Sequence, residues 1–345
     1  MRPRRARPAG LRGTAANADR PVPCVLLLSR SCDAEFTLVQ DLLAAAGVPS
    51  VRVNADELAS ADLRVHLADR TAHVNGRWLA PTVTWVRHFS ARAIDGTRAP
   101  AYDMFVRDSW QAAGGQLGAI SGASISPGRP GILAQLLLAQ RHDVAVPQTV
   151  ITTDPSRAQA AFRSPRLVIK AAHRHFVEAA PGRLSGVFPA VVERRALAAG
   201  GAAGPPVIVQ EFIEHEAELR VYYVDGQVHG FEVRKDSPAT PWEDPARLGV
   251  KSVVTPPAVE SAARLLAAAM SLRYGAFDFL LRDAVPVFLE VNPDGDWRWA
   301  ERGARTAAVT LAAARMLTRL HREARPGDGA GPFSLIGFLS RKYGP

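Results

Sequence analysis

The alternation of apolar and polar positions divides the chain into short units. Pro23-Cys24-Val25-Leu26-Leu27-Leu28-Ser29 is an unbroken apolar run of strand length, as expected for a strand buried on both faces. Residues 35–46 are amphipathic at helical spacing and stop at Gly47, and Val48-Pro49-Ser50-Val51-Arg52-Val53 resumes strand character. Strand, helix and strand within about thirty residues form a βαβ unit, which predicts a parallel sheet. Over 64–79 the pattern is a meander turning at Asn75-Gly76, a pair suited to the left-handed backbone of a tight hairpin. Thr82-Val83-Thr84-Trp85-Val86-Arg87-His88 is a further strand.

A Ser/Gly/Pro-rich connector over 121–129 separates this first unit from a predicted helix at 131–142. Strands follow at 146–151 and at Leu167-Val168-Ile169-Lys170, in a segment whose neighbours predict an antiparallel sheet. Residues 196–206 are low-complexity Ala/Gly/Pro and predict a linker. Val207-Ile208-Val209-Gln210 opens a second run of strands. Strands at 218–224 and 227–233 are joined by Asp225-Gly226, a hairpin signal. A helix at 258–272, a last hairpin of 275–281 with 287–292, and a helix at 304–324 complete the pattern. The expected fold class is α/β (α+β). A small parallel unit at 22–125 precedes two α+β units at 126–206 and 207–324, between tails at 1–21 and 325–345.

At 345 residues and 47% hydrophobic content the chain can bury two or three cores. No apolar run approaches the roughly 18 residues of a membrane span, and no signal peptide is evident; the expectation is a cytoplasmic protein with no membrane partner. Cys24 and Cys32 cannot form a disulfide framework. Cys24 reads as buried filler and Cys32 as a loop thiol. The net charge of +9 invites a nucleic-acid reading, but six arginines against Asp19 place +5 of it in the first 20 residues. The remainder is dispersed, so no specific nucleic-acid partner is expected. Only four lysines occur, Lys170, Lys235, Lys251 and Lys342.

Chemistry concentrates in the last hairpin. Phe277-Asp278-Phe279-Leu280-Leu281 carries one carboxylate among apolar residues, and Val287-Phe288-Leu289-Glu290-Val291-Asn292-Pro293 carries Glu290 and Asn292 two apart on one strand face. An odd register would set Asp278 opposite Glu290. Carboxylates gathered on an apolar face need a cation, and an all-oxygen set suits Mg²⁺ completed by phosphate. A solvated edge hairpin remains the plain alternative. Lys170, at the end of an apolar strand, calls for an anion, although it could also snorkel to the surface. Glu218 and Arg220 share a strand face, as site residues or as a surface ion pair.

Phe288-Leu289-Glu290-Val291-Asn292-Pro293, with Asp278 twelve residues before Glu290, resembles the metal-binding signature of the ATP-grasp superfamily. The Gly295, Trp297 and Trp299 that follow resemble its peptide-maturing branch, the microviridin and graspetide ligases. A more distant similarity is to the ligases that add glutamate to ribosomal proteins. The likeness covers about 22–320. It implies an ATP-grasp fold, with 22–125 as a preceding α/β domain, and ATP and Mg²⁺ as cofactors. It implies metal ligation by Asp278, Glu290 and Asn292, and an α/β-phosphate contact from Lys170. Gln210, Glu211, Phe212 and Ile213 match the hinge whose backbone holds adenine, and Glu218 matches the acid on the ribose. Arg220 and Arg234 match catalytic cations near the transferred phosphate or acyl group, with Lys235 beside Arg234.

Two positions depart from the pattern. Where a second ATP-contacting lysine is expected, Arg129 is the basic residue available. The phosphate loop after Lys170 reads His173-Arg174-His175-Phe176-Val177-Glu178, with glycines only at Gly182 and Gly186. His173 and His175 lack further Cys or His at zinc spacing.

The resemblance implies a ligase that activates a carboxylate as an acyl phosphate and joins it to an amine or hydroxyl. The expected substrate is an acidic precursor peptide or a small carboxylate. Peptide docking is expected at Trp85-Val86-Arg87-His88-Phe89 and at Arg174, Arg183, Arg194 and Arg195, whose forks match carboxylates. Asp294 and Asp296 stand against this as added negative charge. A glutamate-ligase-like enzyme, a small-molecule amino-acid ligase and a catalytically silent nucleotide-gated binding module are the alternatives, and a homodimer is an assembly the reading allows.

Overall fold

The computed structural model describes residues 20–94, 99–125, 130–172, 176–180, 183–186, 189–198, 204–235 and 249–325. Most of the N-terminal tail, the C-terminal tail beyond Arg325, Arg129, His173, Arg174, His175 and Gly182 therefore lie outside the described residues, as does the side chain of Arg183.

β1 (Val22–Ser29), α1 (Ala34–Ala45) and β2 (Ser50–Asn54) form the predicted βαβ unit, and β1 pairs parallel with β2. Burial on both faces of β1 is complete from Cys24 to Ser29. Val25 and Leu27 join one core, while Cys24, Leu26 and Leu28 join another on the opposite side. Asp33 caps α1 by accepting from the amide of Phe36 at 3.0 Å. β3 (Leu63–His66), β4 (Thr71–Val74) and β5 (Arg77–Val86) make the meander, with Asn75 and Gly76 both at positive φ in its turn. After α2 (Pro100–Gln116), β6 (Ala123–Ile125) pairs parallel with β5, giving the order β2-β1-β5-β4-β3 with β6 beside β5. The apolar pattern gave no sign of α2: its side chains are largely exposed, so it carries little core periodicity.

α3 (Ile132–Arg141) leads into β7 (Thr149–Thr152), α4 (Pro155–Ala158), β8 (Arg166–Ala171), β9 (Phe176–Ala180), β10 (Arg183–Gly186), β11 (Ala190–Glu193) and β12 (Val207–Glu211). β11-β8-β12-β7 is an antiparallel sheet, and β9 and β10 form a separate hairpin. β13 (Ala217–Val224), β14 (Gln227–Arg234), β15 (Gly249–Val253), α5 (Pro257–Ala269), β16 (Tyr274–Arg282) and β17 (Val285–Asn292) follow. They build a third sheet, ordered β15-β14-β13-β16-β17 and antiparallel throughout.

The final helix expected over 304–324 is α7 (Ala308–Glu323); a short helix that the pattern did not predict, α6 (Arg298–Ala304), precedes it and ends at Arg305, in the left-handed region at φ 52. One face of the third sheet packs its phenylalanines, Phe277, Phe279 and Phe288, against α5 and α3. Tyr222, Phe231 and Tyr274, on the other face, join Trp85, Trp297 and α7 in a core shared with the first sheet. Among the described residues, no helix is long and apolar enough to cross a membrane.

Candidate active site

The uncovered part of that second face carries the candidate chemistry. Arg220 on β13 stands opposite Asp278 on β16, and Asp278 stands opposite Glu290 on β17. The second of these pairings depends on a β-bulge. From the Asp283-Ala284 turn the register runs Leu281 to Pro286 and Phe279 to Phe288; it then shifts by one so that Asp278 meets Glu290. In an unbroken hairpin Asp278 would face Leu289, and Glu290 would point with Phe277 into the phenylalanine core. The extra residue turns Glu290 to the site face and leaves Asn292 beside it, donating to Glu290 Oε1 at 3.3 Å.

Opposed carboxylates on a mostly apolar face require compensation, and the chain supplies it. Arg220 Nη1 lies 2.6 Å from Asp278 Oδ2. Lys170, on β8 of the neighbouring sheet and 8% exposed, places Nζ 3.9 Å from Glu290 Oε2. Lys170 thus brings a cation of one sheet to the carboxylates of the other. Burial pushes the Asp278 carboxyl above its ordinary range; Arg220 opposes this and Glu290 adds to it. Although burial disfavours the Arg220 cation, Asp278 holds its pKa above the usual arginine value.

Two residues before Arg220 on the same face of β13, Glu218 is held below the usual carboxylate range: burial works against this, and His215 and Lys235 outweigh it. Lys235 Nζ is 2.7 Å from Glu218 Oε2, and His215 Nε2 is 3.2 Å from Oε1.

The structure does not gather every expected residue. Arg234 lies on the opposite face of β14, exposed and 2.8 Å from Glu232, because alternation along the strand turns Val233 and Phe231 to the site side. Its neighbour Lys235 reaches the cluster instead. In the hinge, the amides of Glu211 and Phe212 donate to Gln148 O and Arg166 O at 3.0 Å each, so the frame already uses them. Gln210 is buried, bonding Thr149 at 2.9 Å, and the Glu211 carboxylate accepts from the Gln148 amide at 2.8 Å. Phe212 lies under the Arg166 guanidinium, and Ile213 packs with Leu280 and Val287.

The expected peptide-docking strand is likewise committed internally. Arg87 is 0% exposed. It donates to both oxygens of Asp33 at 3.1 and 3.2 Å, to the carbonyls of Asp294 and Gly295, and to the Asp296 carboxylate. Its guanidinium lies 4.5 Å from the Trp297 ring centroid. Trp85 and Phe89 are buried as well, and Arg194 donates to the Phe162 carbonyl at 3.2 Å. Asp296 is thus no unopposed negative charge: against the effect of burial, His88 and Arg87 hold its pKa far below the carboxylate range. Nothing in the spacing of Arg87 marks it; its role becomes visible only when the 294–297 loop folds back on β5.

The donor set fits Mg²⁺ with a phosphate ligand. Among the described residues no group of three or more His, Cys, Asp and Glu is arranged for a metal. Two carboxylates and an amide make a partial oxygen shell of the kind phosphate oxygens complete.

No family model matches the chain, and no curated protein matches it. Solved structures do. The macrocyclase MdnC of Microcystis aeruginosa MRC, bound with precursor peptide MdnA, superposes with a TM-score of 0.71 at 19% identity, covering 86% of this chain and 99% of that one. A RiPP-associated ATP-grasp ligase from Chryseobacterium gregarium, in complex with ADP and a leader and core peptide, gives 0.68 at 19%, covering 86% and 97%. The ATP-grasp ligase PsnB, complexed with a phosphomimetic variant of minimal precursor, Mg and ADP, gives 0.69 at 17%, covering 87% and 99%. The chain has the ATP-grasp fold.

Proposed function

We propose that this protein is an ATP-dependent ligase that activates side-chain carboxylates of a ribosomally made peptide and joins them to hydroxyl or amine groups. The observation that carries the reading is that two buried cations meet the carboxylates of one sheet face, Arg220 pairing Asp278 from the adjacent strand and Lys170 approaching Glu290 from the neighbouring sheet, with Asn292 beside Glu290. An ion pair built only for stability would be expected to close on itself. Here a cation from a second sheet is added to the charges of the first. Nucleotide and metal in related folds, and precursor peptides in the same complexes, support the substrate classes.

Asp278, Glu290 and Asn292 would hold the metal, and Lys170 and Arg220 would contact phosphate oxygens. Bound Mg²⁺ supplies the positive charge that lets a triphosphate approach two carboxylates. The chain's own part is charge exchange: Arg220 and Lys170 pass from carboxylate partners to phosphate, so that neither sign is left unpaired. Glu218, kept ionised by His215 and Lys235, offers an acceptor for ribose hydroxyls. The substrate carboxylate takes the γ-phosphoryl group, and the acyl phosphate so formed loses phosphate to the attacking hydroxyl or amine.

The test uses the whole protein, ATP, Mg²⁺ and synthetic Asp/Glu-rich peptides that also carry Ser, Thr or Lys. ADP release should accompany a product lighter by one water per bond formed. A product heavier by one amino acid supports glutamate addition instead, and nucleotide binding without turnover on any carboxylate supports the silent binding module. Glu290→Ala should abolish ADP release while the unfolding curve stays close to that of the wild type.

A further inference from the structure

We propose that His215 is a positioning residue that bridges the adenine hinge and the ribose acid as a doubly donating imidazolium, so that nucleotide affinity follows its protonation. The inference rests on the nucleotide reading of Ile213 and Glu218 given above.

His215 lies in the short turn between β12 and β13, and its side chain is 5% exposed. Nδ1 is 2.7 Å from the Ile213 carbonyl and Nε2 is 3.2 Å from Glu218 Oε1. Both partners only accept. A neutral imidazole has one N–H and can satisfy one of them; the imidazolium has two and satisfies both. One protonated ring thus fixes the hinge backbone relative to the acid five residues on, and sets the distance a bound nucleoside would span.

The surrounding charges are few and mostly paired. Lys235 faces Glu218 from beyond β14 at 2.7 Å and opposes the His215 charge. Glu214, next in sequence, is ion-paired with Arg166 of β8, whose guanidinium lies 4.2 Å from the Phe212 ring centroid. Phe212 in turn stands 6.2 Å from the imidazole ring. Glu216 accepts from the amide of Asp283 in the β16–β17 turn at 2.8 Å. Asp278 of β16 adds its charge near Glu218. Burial works against the His215 cation, yet the bonds to Glu218 and Ile213 raise its pKa above the ordinary histidine value. The cation is therefore the form present below that raised value, and it is lost as pH rises through it.

The measurement is MgADP affinity by calorimetry from below the ordinary histidine range to pH 9, for the wild type and for His215→Gln. Ring ¹³C and ¹⁵N shifts of His215 in the ligand-free wild type accompany it. Wild-type affinity should fall about tenfold across the range, the scale of one charge-assisted contact. The glutamine variant, with a single fixed set of donors, should bind weakly with a flat profile. Nucleotide phosphate titration is common to both proteins and cancels in the comparison. In the ligand-free protein the ring should titrate above the usual histidine value as an imidazolium. MgADP binding that is tight and pH-independent, or a ring already neutral at pH 6.5, overturns the role of His215 alone. Absence of MgADP binding at every pH overturns the nucleotide reading, and this inference with it.

Discussion

Replacing Arg87 by methionine should be the most damaging single change in the first sheet, although the side chain touches none of the proposed ligand groups. The substitution keeps roughly the aliphatic volume and removes the guanidinium. It strands Asp33, whose carboxylate is almost fully buried, and releases the carbonyls of Asp294 and Gly295. Removing one partner of a buried pair costs about 3–5 kcal/mol, and the lost stacking on Trp297 adds about 0.5–2 kcal/mol. Total stabilities of natural domains are of order 5–15 kcal/mol, so the variant should sit near its unfolding threshold. Arg87→Lys keeps the charge but not the fork, and should fall between the two. The pH dependence distinguishes this account from simple loss of packing. In the wild type, burial raises the Asp33 pKa, but Arg87, Ser29 and the Phe36 amide more than offset it, and the net shift is downward. A depressed folded pKa contributes stability above the unfolded carboxylate value, lost as pH falls through the folded one. Without Arg87 the balance should reverse, so that the deficit of the variant is largest near neutrality and narrows as pH falls toward 4. Urea unfolding curves of the three proteins between pH 4 and 8 measure this. A deficit below about 1 kcal/mol, or one unchanged with pH, would refute the buried-pair reasoning.

Lys170→Ala should weaken MgADP binding by one to two orders of magnitude, corresponding to about 1.5–3 kcal/mol for a charge-assisted contact; unchanged affinity by calorimetry would make Lys170 structural. Gly295→Ala should disturb the loop beside Asn292, since an added Cβ would lie 2.5 Å from Ala276 Cβ and 2.8 Å from Arg220 Nη2; the expected result is a lower melting temperature together with weaker nucleotide binding, and a fully stable variant would show that the loop can retreat. Cys32 is exposed, whereas burial pushes the Cys24 thiol up to about 12; a thiol reagent at pH 8 should therefore modify one cysteine in the native protein and two in denaturant.

Much of the scaffold was legible because it rests on periodicity. The unbroken run at 24–28, the Asn75-Gly76 and Asp225-Gly226 turns and the paired apolar strands around Asp278 each follow from rules of burial or turn chemistry. The same rules put Glu290 and Asn292 on a common face. They left open whether Asp278 joined them, because the answer turns on a one-residue bulge at Leu289. Arg234 and Lys235 show a related limit: adjacent basic residues at a strand end were assigned together, and pleating sends them to opposite sides. Arg87 was misread for a different cause. A basic residue beside aromatics is equally suited to an exposed docking strand and to a buried cation. What separates them is the return of Asp296 and Trp297 from more than two hundred residues away.

Two buried arginines in this chain illustrate how a structural cation differs from one poised for a ligand. Arg87 is enclosed by acceptors from two segments and stacked on an aromatic ring, with donors directed to Asp33, Asp294, Gly295 and Asp296. Leaving such a set would cost every one of those bonds, and no ligand is placed to replace them. Arg220 is nearly as buried and lies 5.6 Å from the Tyr222 ring centroid, yet the carboxylate it pairs with is Asp278, and its buried Nε has no hydrogen-bond partner. A guanidinium whose ion pairing stops at one carboxylate can take an anion without first breaking a complete shell. Lys170, 3.9 Å from Glu290, is held still more loosely. Incomplete pairing is costly for a resting fold, because unsatisfied buried groups destabilise it. In the proposed reading this looser pairing, supplied by β13 and β8, is what connects the charge arrangement to phosphate binding, whereas the bonds of Arg87 tie the 294–296 loop to Asp33.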